Sequence, residues 1–513
     1  MTMNWIDRAL APLFPGMVAS RVAARLAIRA YEAAHPSRTH KAKAERRSAN
    51  AAIKASAKSL RDQARALDEN HDIVTGLFDK LEERVVGAKG IGIEPLPLLT
   101  AGEVATDLAA QIKAAWGEWS LRPEASGMLS RPEVERLVAR TWLRDGEALA
   151  SFIAGNVPSY THLTDVPFAL ELLEPDYLPH EDDAAKGITQ GVERNEWGRV
   201  KGYHVFKKHP ADSISFKADT KFVKADDMIH IATRKRIGQV RGVSLLAPVM
   251  IRLADIKDYE ESERVAARIA AALAFYIKKG DPGLYAPNTD TDQKTGERSI
   301  PFGPGMVFDG LAPGEDVGTI ESNRPSALLE GFRNAMLRAV AAGTRTSYSS
   351  LARDYNGTYS AQRQELVESQ SGFEVLQNTF IDQYARRVYR RWLEVAIAAG
   401  KIRIPAGVDK RTLFNAVYIG PVMPWIDPKK EGEAWRGLVA DGFATEAEVA
   451  RARGGNIAEV KKQRRQEVAE NREHGLVFDS DAYHKYYSKG ENDGETTPGS
   501  PGSAGDDGEQ QEE

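Results

Sequence analysis

PVMIRLADIKDYEESERVAARIAAALAFYIKK, residues 248–279, reads as one unbroken helix. Ser244 or Ala247 can cap it, and Pro248 stands in the first turn, where a missing N–H costs little. Gly280-Asp281-Pro282 supplies a left-handed cap candidate and a breaker. At about 1.5 Å per residue the helix would run roughly 48 Å, long for a globular domain. Glu260 precedes Arg264 at the stabilising i,i+4 spacing, and 265–274 is rich in alanine, which lets neighbouring helices approach closely. No heptad is sustained, so the pattern suits a palisade of packed helices better than a coiled-coil arm.

Working outward, 281–325 turns to Pro, Gly, Asp and Thr with short β-prone runs such as Met306-Val307-Phe308. A second helix over 326–342 follows, with Leu328, Leu329, Phe332, Met336, Leu337 and Val340 as its apolar stripe. A β-rich module therefore hangs between two helices like a cap on a stalk. The stretch 343–359 is polar, aromatic and loop-like, 361–400 reads as a long helix, and 412–475 reads as short helices joined by turns. Upstream, helices are predicted over 48–86 (stopped by Gly87, Gly90 and Gly92), 102–119 and 133–154. Strands are predicted over 168–173, in a hairpin joining 191–194 to 198–206, and over 228–231. The fold class is α+β, with a small antiparallel sheet fed by helices on both sides.

Composition narrows the function classes. The chain has 513 residues, enough for two to four folding units, and its 42% apolar content supports real cores. It has no cysteine, which excludes disulfides and thiolate metal sites and fits assembly in a reducing cytoplasm. No uncharged apolar run reaches the length of a bilayer span, and Pro12 and Pro15 break the only N-terminal apolar patch, so neither membrane insertion nor a secretion signal is expected. Eight acids and no Lys or Arg lie between Glu491 and Glu513; without them the net charge of −4 becomes +4. That Gly, Ser, Pro and acid segment is expected to be disordered. The basic excess sits early, from Arg21 to Arg65, as a solvated face or a contact with an anionic partner.

Catalytic signatures are missing. The glycines of 87–92 lack the spacing and the Gly-Lys-Ser/Thr of a phosphate loop, and no Gly-x-Ser-x-Gly elbow exists. His180-Glu181-Asp182-Asp183 reads as a solvated loop rather than a cation site, and His204, His209 and His230 offer no helical zinc pair. Glu260-Glu261 lie on adjacent helix faces and cannot act as one acid/base pair. We expect no catalytic residue, no metal and no cofactor, and hence no enzyme.

Four stretches together resemble the lambda-type family of tailed-phage portal proteins, over about 50–476. They are Gly191-Val192-Glu193-Arg194 with Gly198 to Val205; Ile229-His230 with Gly238-Gln239-Val240-Arg241-Gly242-Val243-Ser244; Ala341-Ala342-Gly343-Thr344-Arg345-Thr346-Ser347-Tyr348 with Leu351, Asp354-Tyr355 and Tyr359-Ser360; and Trp425-Ile426-Asp427-Pro428-Lys429-Lys430-Glu431 with Gly442-Phe443-Ala444-Thr445. The resemblance implies a portal-type subunit: a basic N-terminal arm (1–47), a wing of helices and then a small sheet (48–244), a stem helix (245–280), a β-containing clip (281–325), a second stem helix (326–342), a tunnel-loop region (343–360), a long wing helix (361–405), a helical crown (406–487) and an acidic tail (488–513). It implies a homo-oligomeric ring, usually of twelve copies, at one capsid vertex of the virion, assembled in the host bacterial cytoplasm. Its implied partners are double-stranded DNA in transit, the terminase large subunit, head-completion or adaptor proteins, and the major capsid protein with scaffold or protease. A conduit must not hold its DNA tightly, and the mixed charge of Asp255, Lys257, Asp258, Glu260, Arg264 and Arg268 suits that. Arg345, Tyr348, Arg353 and Tyr355, with Lys257 and Arg264, are the residues expected to face the channel. Two rivals stand beside this reading: a scaffold or adaptor of the virion without a channel, and a nuclease using His180, Asp182 and Asp183.

Overall fold

The computed structural model describes residues 12, 14–20, 45–212, 219–271, 275–279, 315–319, 329–423, 427–478 and 481. Most of the expected clip and N-terminal arm, Trp425-Ile426 and the acidic segment lie outside them.

The body is laid down by helices and closed by two small sheets. Helix α1 (Ala49–Asn70) begins at Ser48, whose hydroxyl accepts from the Ala51 N–H. At His71 the backbone turns extended (φ −128°), and α2 (Asp72–Val85) starts afresh, so the single helix predicted over 48–86 is two. The break has a cause downstream: buried His71 donates through Nε2 to the Leu253 carbonyl, 3.1 Å away. Helices α3 (Thr106–Trp119) and α4 (Arg131–Asp145) complete the helical layer, the latter opened by a reciprocal Ser130/Glu133 capping box.

The helix predicted over 133–154 stops at Gly146, whose φ of +93° is the left-handed cap that glycine favours. Strand β2 (Glu147–Ala154) follows as the centre of an antiparallel sheet, flanked by β3 (Phe168–Leu173) and β8 (Met228–Ala232). The run Glu-Ala-Leu-Ala has helix-forming residues, but pairing on both edges and burial on both faces override that preference. A second sheet orders β4 (Ile188–Thr189), β5 (Val192–Arg194), β6 (Val200–Phe206) and β7 (Thr220–Lys224), with the predicted hairpin as its middle pair.

Further on come α5 (Met250–Ala271), β9 (Phe275–Lys279), β10 (Glu315–Thr319), α6 (Leu329–Thr344), the short α7 (Tyr348–Ala352), α8 (Tyr359–Phe380) and α9 (Arg386–Ala398), the last two joined through a π-turn at Ile381–Ala385. The helix predicted over 248–279 is thus shorter than expected: it ends by Ala271 among the described residues, and its aromatic, β-branched end Phe275-Tyr276-Ile277 pairs as a strand. Strand β1 (Gly92–Pro95) pairs with β11 (Ala416–Ile419), tying the early body to the late chain. Helices α10 (Pro428–Ala440), α11 (Glu446–Ala452) and α12 (Ile457–Glu473) follow, and none buries a residue.

One large core joins the helical layer, the three-stranded sheet and α9. Its centre is aromatic: Trp116 meets Trp392 edge-on at 5.0 Å and Trp119 at 4.8 Å, and the Trp119 indole donates to the Phe168 carbonyl. Each such ring removes about 150–250 Å² from water, roughly 4–6 kcal/mol gross before entropy.

Candidate functional site

Four side-chain contacts fix how α5 and α6 lie. Arg333 Nε donates to Glu260 Oε1 at 2.6 Å, Tyr259 and Phe332 meet edge-on at 5.1 Å, Arg252 reaches the Met336 sulfur, and a Cβ on Gly343 would stand 2.5 Å from Val249 Cγ1. Residue numbers rise on one helix as they fall on the other, so the pair is antiparallel. The same two chain segments also pair as strands, antiparallel from Phe275↔Thr319 to Lys279↔Glu315. Among the described residues they therefore pair antiparallel twice, once as helices and once as strands.

The hairpin is rooted in a buried polar hub. Arg241, fully buried, donates to Glu147 Oε1 and to the carbonyls of Pro175, Pro179 and Gln190. Glu147 Oε2 faces His230 Nε2 at 2.8 Å and accepts from the Gly242 N–H. Burial opposes ionisation of Glu147, but the Arg241 guanidinium and His230 outweigh it and hold the carboxyl well below the usual range. Burial, only partly offset by Glu147, keeps His230 below the ordinary imidazole value. Gln239 closes the turn, accepting from the Lys235 and Arg236 N–H groups and donating to the Thr233 and Arg241 carbonyls. Gly242 lies against Gly146 so closely that a Cβ would stand 2.0 Å from the Gly146 carbonyl oxygen. The stretch 238–244 is thus a structural joint between sheet and hairpin.

At the other root, α6 runs into a polar loop. Arg345 (φ +60°) and Arg353 (φ +55°) both take the left-handed conformation and are exposed. Ser347 caps α7 by accepting from the Ser350 N–H, and Glu365 accepts from the Ser349 N–H. Tyr348 donates its hydroxyl to Asp354 at 3.1 Å and lies beneath the Arg338 guanidinium, 5.0 Å from the ring centre. Tyr355 is 57% exposed.

Of the residues read as channel-facing, Arg345, Arg353 and Tyr355 share this loop and stand open. Tyr348 is on the same loop, but its position is explained by Asp354 and Arg338. Lys257 is exposed on α5 and donates to the Asn70 carbonyl at the end of α1, 2.8 Å away. Arg264 is exposed and pairs with Glu261 of its own helix. Exposed α5 positions carry Arg252, Lys257, Arg264 and Arg268 against Asp255, Asp258 and Glu261, close to neutral. Arg333 and Arg338 on α6 were missed, since helical periodicity alone does not say which polar residues flank the seam.

The loop at 180–183 is used structurally. Arg61 Nη2 faces His180 Nε2 at 3.1 Å, Lys54 pairs with Asp182 at 2.7 Å, and Asp183 caps a turn by accepting from the Lys186 N–H. Burial, reinforced by Arg241 and Arg61, lowers His180 to about 4. Glu174, Asp176 and His209 converge closely enough to hold a cation, but Arg65 lies 2.7 Å from Asp176 and 3.3 Å from Glu174, and Arg61 is 3.4 Å from Asp176. Guanidinium groups already neutralise that cluster.

The described residues thus form a mixed α/β body bearing an antiparallel helix pair, with a basic, aromatic loop at its root. Residues 35–377 match the family described as phage portal protein, lambda family. The chain belongs to that family. It is 24% identical over 389 residues to the probable portal protein of Halomonas phage phiHAP-1, covering 73% of each chain. To portal protein B of Escherichia phage lambda it is 23% identical over 450 residues, covering 80% of this chain and 82% of that one. Among solved structures it is similar to a chain from the neck of an empty gene transfer agent (GTA) particle, 12% identical, with a TM-score of 0.44 over 76% of this chain and 93% of that one.

Proposed function

We propose that this phage portal protein works as one subunit of a ring through which double-stranded DNA enters and leaves the capsid at a single vertex, with about a dozen copies per ring. Family membership carries the reading, and the geometry supports it. The α5/α6 hairpin is a long narrow element suited to stand beside copies of itself around a hole. Its near-neutral outer charge suits a lumen, because each strongly held phosphate would add salt-dependent affinity and drag on moving DNA. Arg345, Arg353 and Tyr355, open on the loop at the hairpin's inner root, are the residues we assign to DNA. Lys257 and Arg264 are weaker candidates, being already engaged within the subunit. The β-paired part of the hairpin is what we assign to docking the terminase large subunit and later the head-completion proteins. The major capsid protein and scaffold or protease are its further partners in the virion.

Native mass spectrometry with negative-stain imaging tests this directly. Rings of about twelve copies with a central hole are expected. A compact dimer would move the reading to a channel-free adaptor of the virion.

A further inference from the structure

Helix α12 has seventeen residues and buries none of them. It lies against α11 and is tied to the body by Lys113 and Glu459, 2.6 Å apart, which leaves its other faces open to solvent. Between Val460 and Gln466 it carries Lys461, Lys462, Arg464 and Arg465 and no acid. Lys461 pairs with Glu446 and Arg464 with Glu467, both on the surface, where such pairs are weak.

After the helix the chain turns back. Gly475 takes φ +67°, the Leu476 N–H bonds to the Asn471 carbonyl, and Asp481 comes within 3.2 Å of Arg472. Asp481, beyond the turn, thus lies on a helix cation. Ten residues later begins the run from Glu491 to Glu513, with eight acids and no Lys or Arg. Ten residues can span at most about 33–36 Å, and the basic block lies only about 10–16 Å back along the helix from Arg472. Tethering at that range gives an effective concentration of order millimolar, enough to hold weak electrostatic contacts.

We infer that residues 491–513 dock on Lys461, Lys462, Arg464 and Arg465 of α12 and screen this block from DNA. The acidic segment acts as a tethered polyanion, and nucleic acid must displace it to reach those cations. This goes beyond the conduit reading and does not need a closed ring.

The test compares the full chain with a chain ending at Gly490, using a 30-base-pair duplex at low salt and fluorescence anisotropy. Shortening is expected to tighten binding about tenfold or more, an effect that shrinks as salt rises. Combining Lys461→Gln, Lys462→Gln, Arg464→Gln and Arg465→Gln in the shortened chain is expected to abolish that gain; glutamine on an exposed helix keeps the fold, checked by circular dichroism. A second readout needs no DNA: trypsin should cut at 461–465 several-fold more slowly in the full chain than in the shortened one. Equal DNA affinity of the two chains, a gain that survives the four substitutions, or equal cutting rates would each overturn the inference. Absence of rings would count against the conduit and leave the trypsin comparison standing.

Discussion

Arg345 and Arg353 hold a conformation that glycine adopts freely and arginine does not. A left-handed backbone costs a non-glycine residue about 1 kcal/mol or more, and here both residues end helices, where the Arg353 N–H bonds the Ser349 carbonyl and the Thr346 N–H the Ala341 carbonyl. Arg345→Gly with Arg353→Gly should therefore leave thermal stability unchanged or slightly raised while lowering DNA retention during packaging. Retention equal to the parent's would remove both residues from the DNA contact. The buried trio Arg241, Glu147 and His230 behaves oppositely. Glu147→Ala strands a guanidinium with no counter-charge, at a cost of about 3–5 kcal/mol in chemical denaturation. A loss under about 1 kcal/mol would show that the carbonyls around Arg241 suffice. Histidine 180 adds a pH dependence whose sign is set by its lowered value of about 4. Unfolded imidazole takes its proton near 6.5, so between about 6.5 and 4 the unfolded chain binds more protons and stability falls as pH falls. Glu147, held low, adds stability that is present above the ordinary carboxylate range and lost on further acidification. Melting temperature against pH should slope downward from about 6.5, and His180→Gln should flatten that slope.

At the scale of elements, what could be read depended on where each element finds its partners. The 168–173 strand, the 191–206 hairpin and the helix at 326–342 announced themselves by local periodicity and turn residues, and the structure forms all three close to their expected bounds. Strand β2 did not, because its partners Phe168–Leu173 and Met228–Ala232 are distant in sequence and its own residues favour helix. The buried charge of Glu147 is likewise intelligible only through Arg241, far along the chain. Phe275-Tyr276-Ile277 did carry a β signal, outvoted by the alanine-rich run before it. The candidate loop was legible as a cluster of aromatic and basic residues, whereas the engagement of Lys257 with Asn70 was not. The joint at Gly146 and Gly242 offers a sharp test of the element scale. Gly242→Ala drives a methyl into a backbone carbonyl that has nowhere to go, and it should abolish soluble folding, whereas Gly198→Ala in an open turn should cost only about 1 kcal/mol.

Among the described residues, the exposed charges of α5 nearly cancel. The full chain should therefore bind duplex DNA weakly, losing about tenfold or less between 50 and 200 mM salt, against about 10³–10⁵ for proteins gripping six to ten phosphates. A steep salt slope would mean a clamp rather than a passage. The hairpin also has a genetic consequence. Its strand pair keeps one register, from Phe275 opposite Thr319 to Lys279 opposite Glu315. Inserting a residue into either strand alone shifts every pair beyond it, exchanging the faces of the side chains there. A matching insertion in the other strand restores the alignment, so length mutants here should be rescued by second-site suppressors that lie opposite in space and roughly forty residues away in the gene.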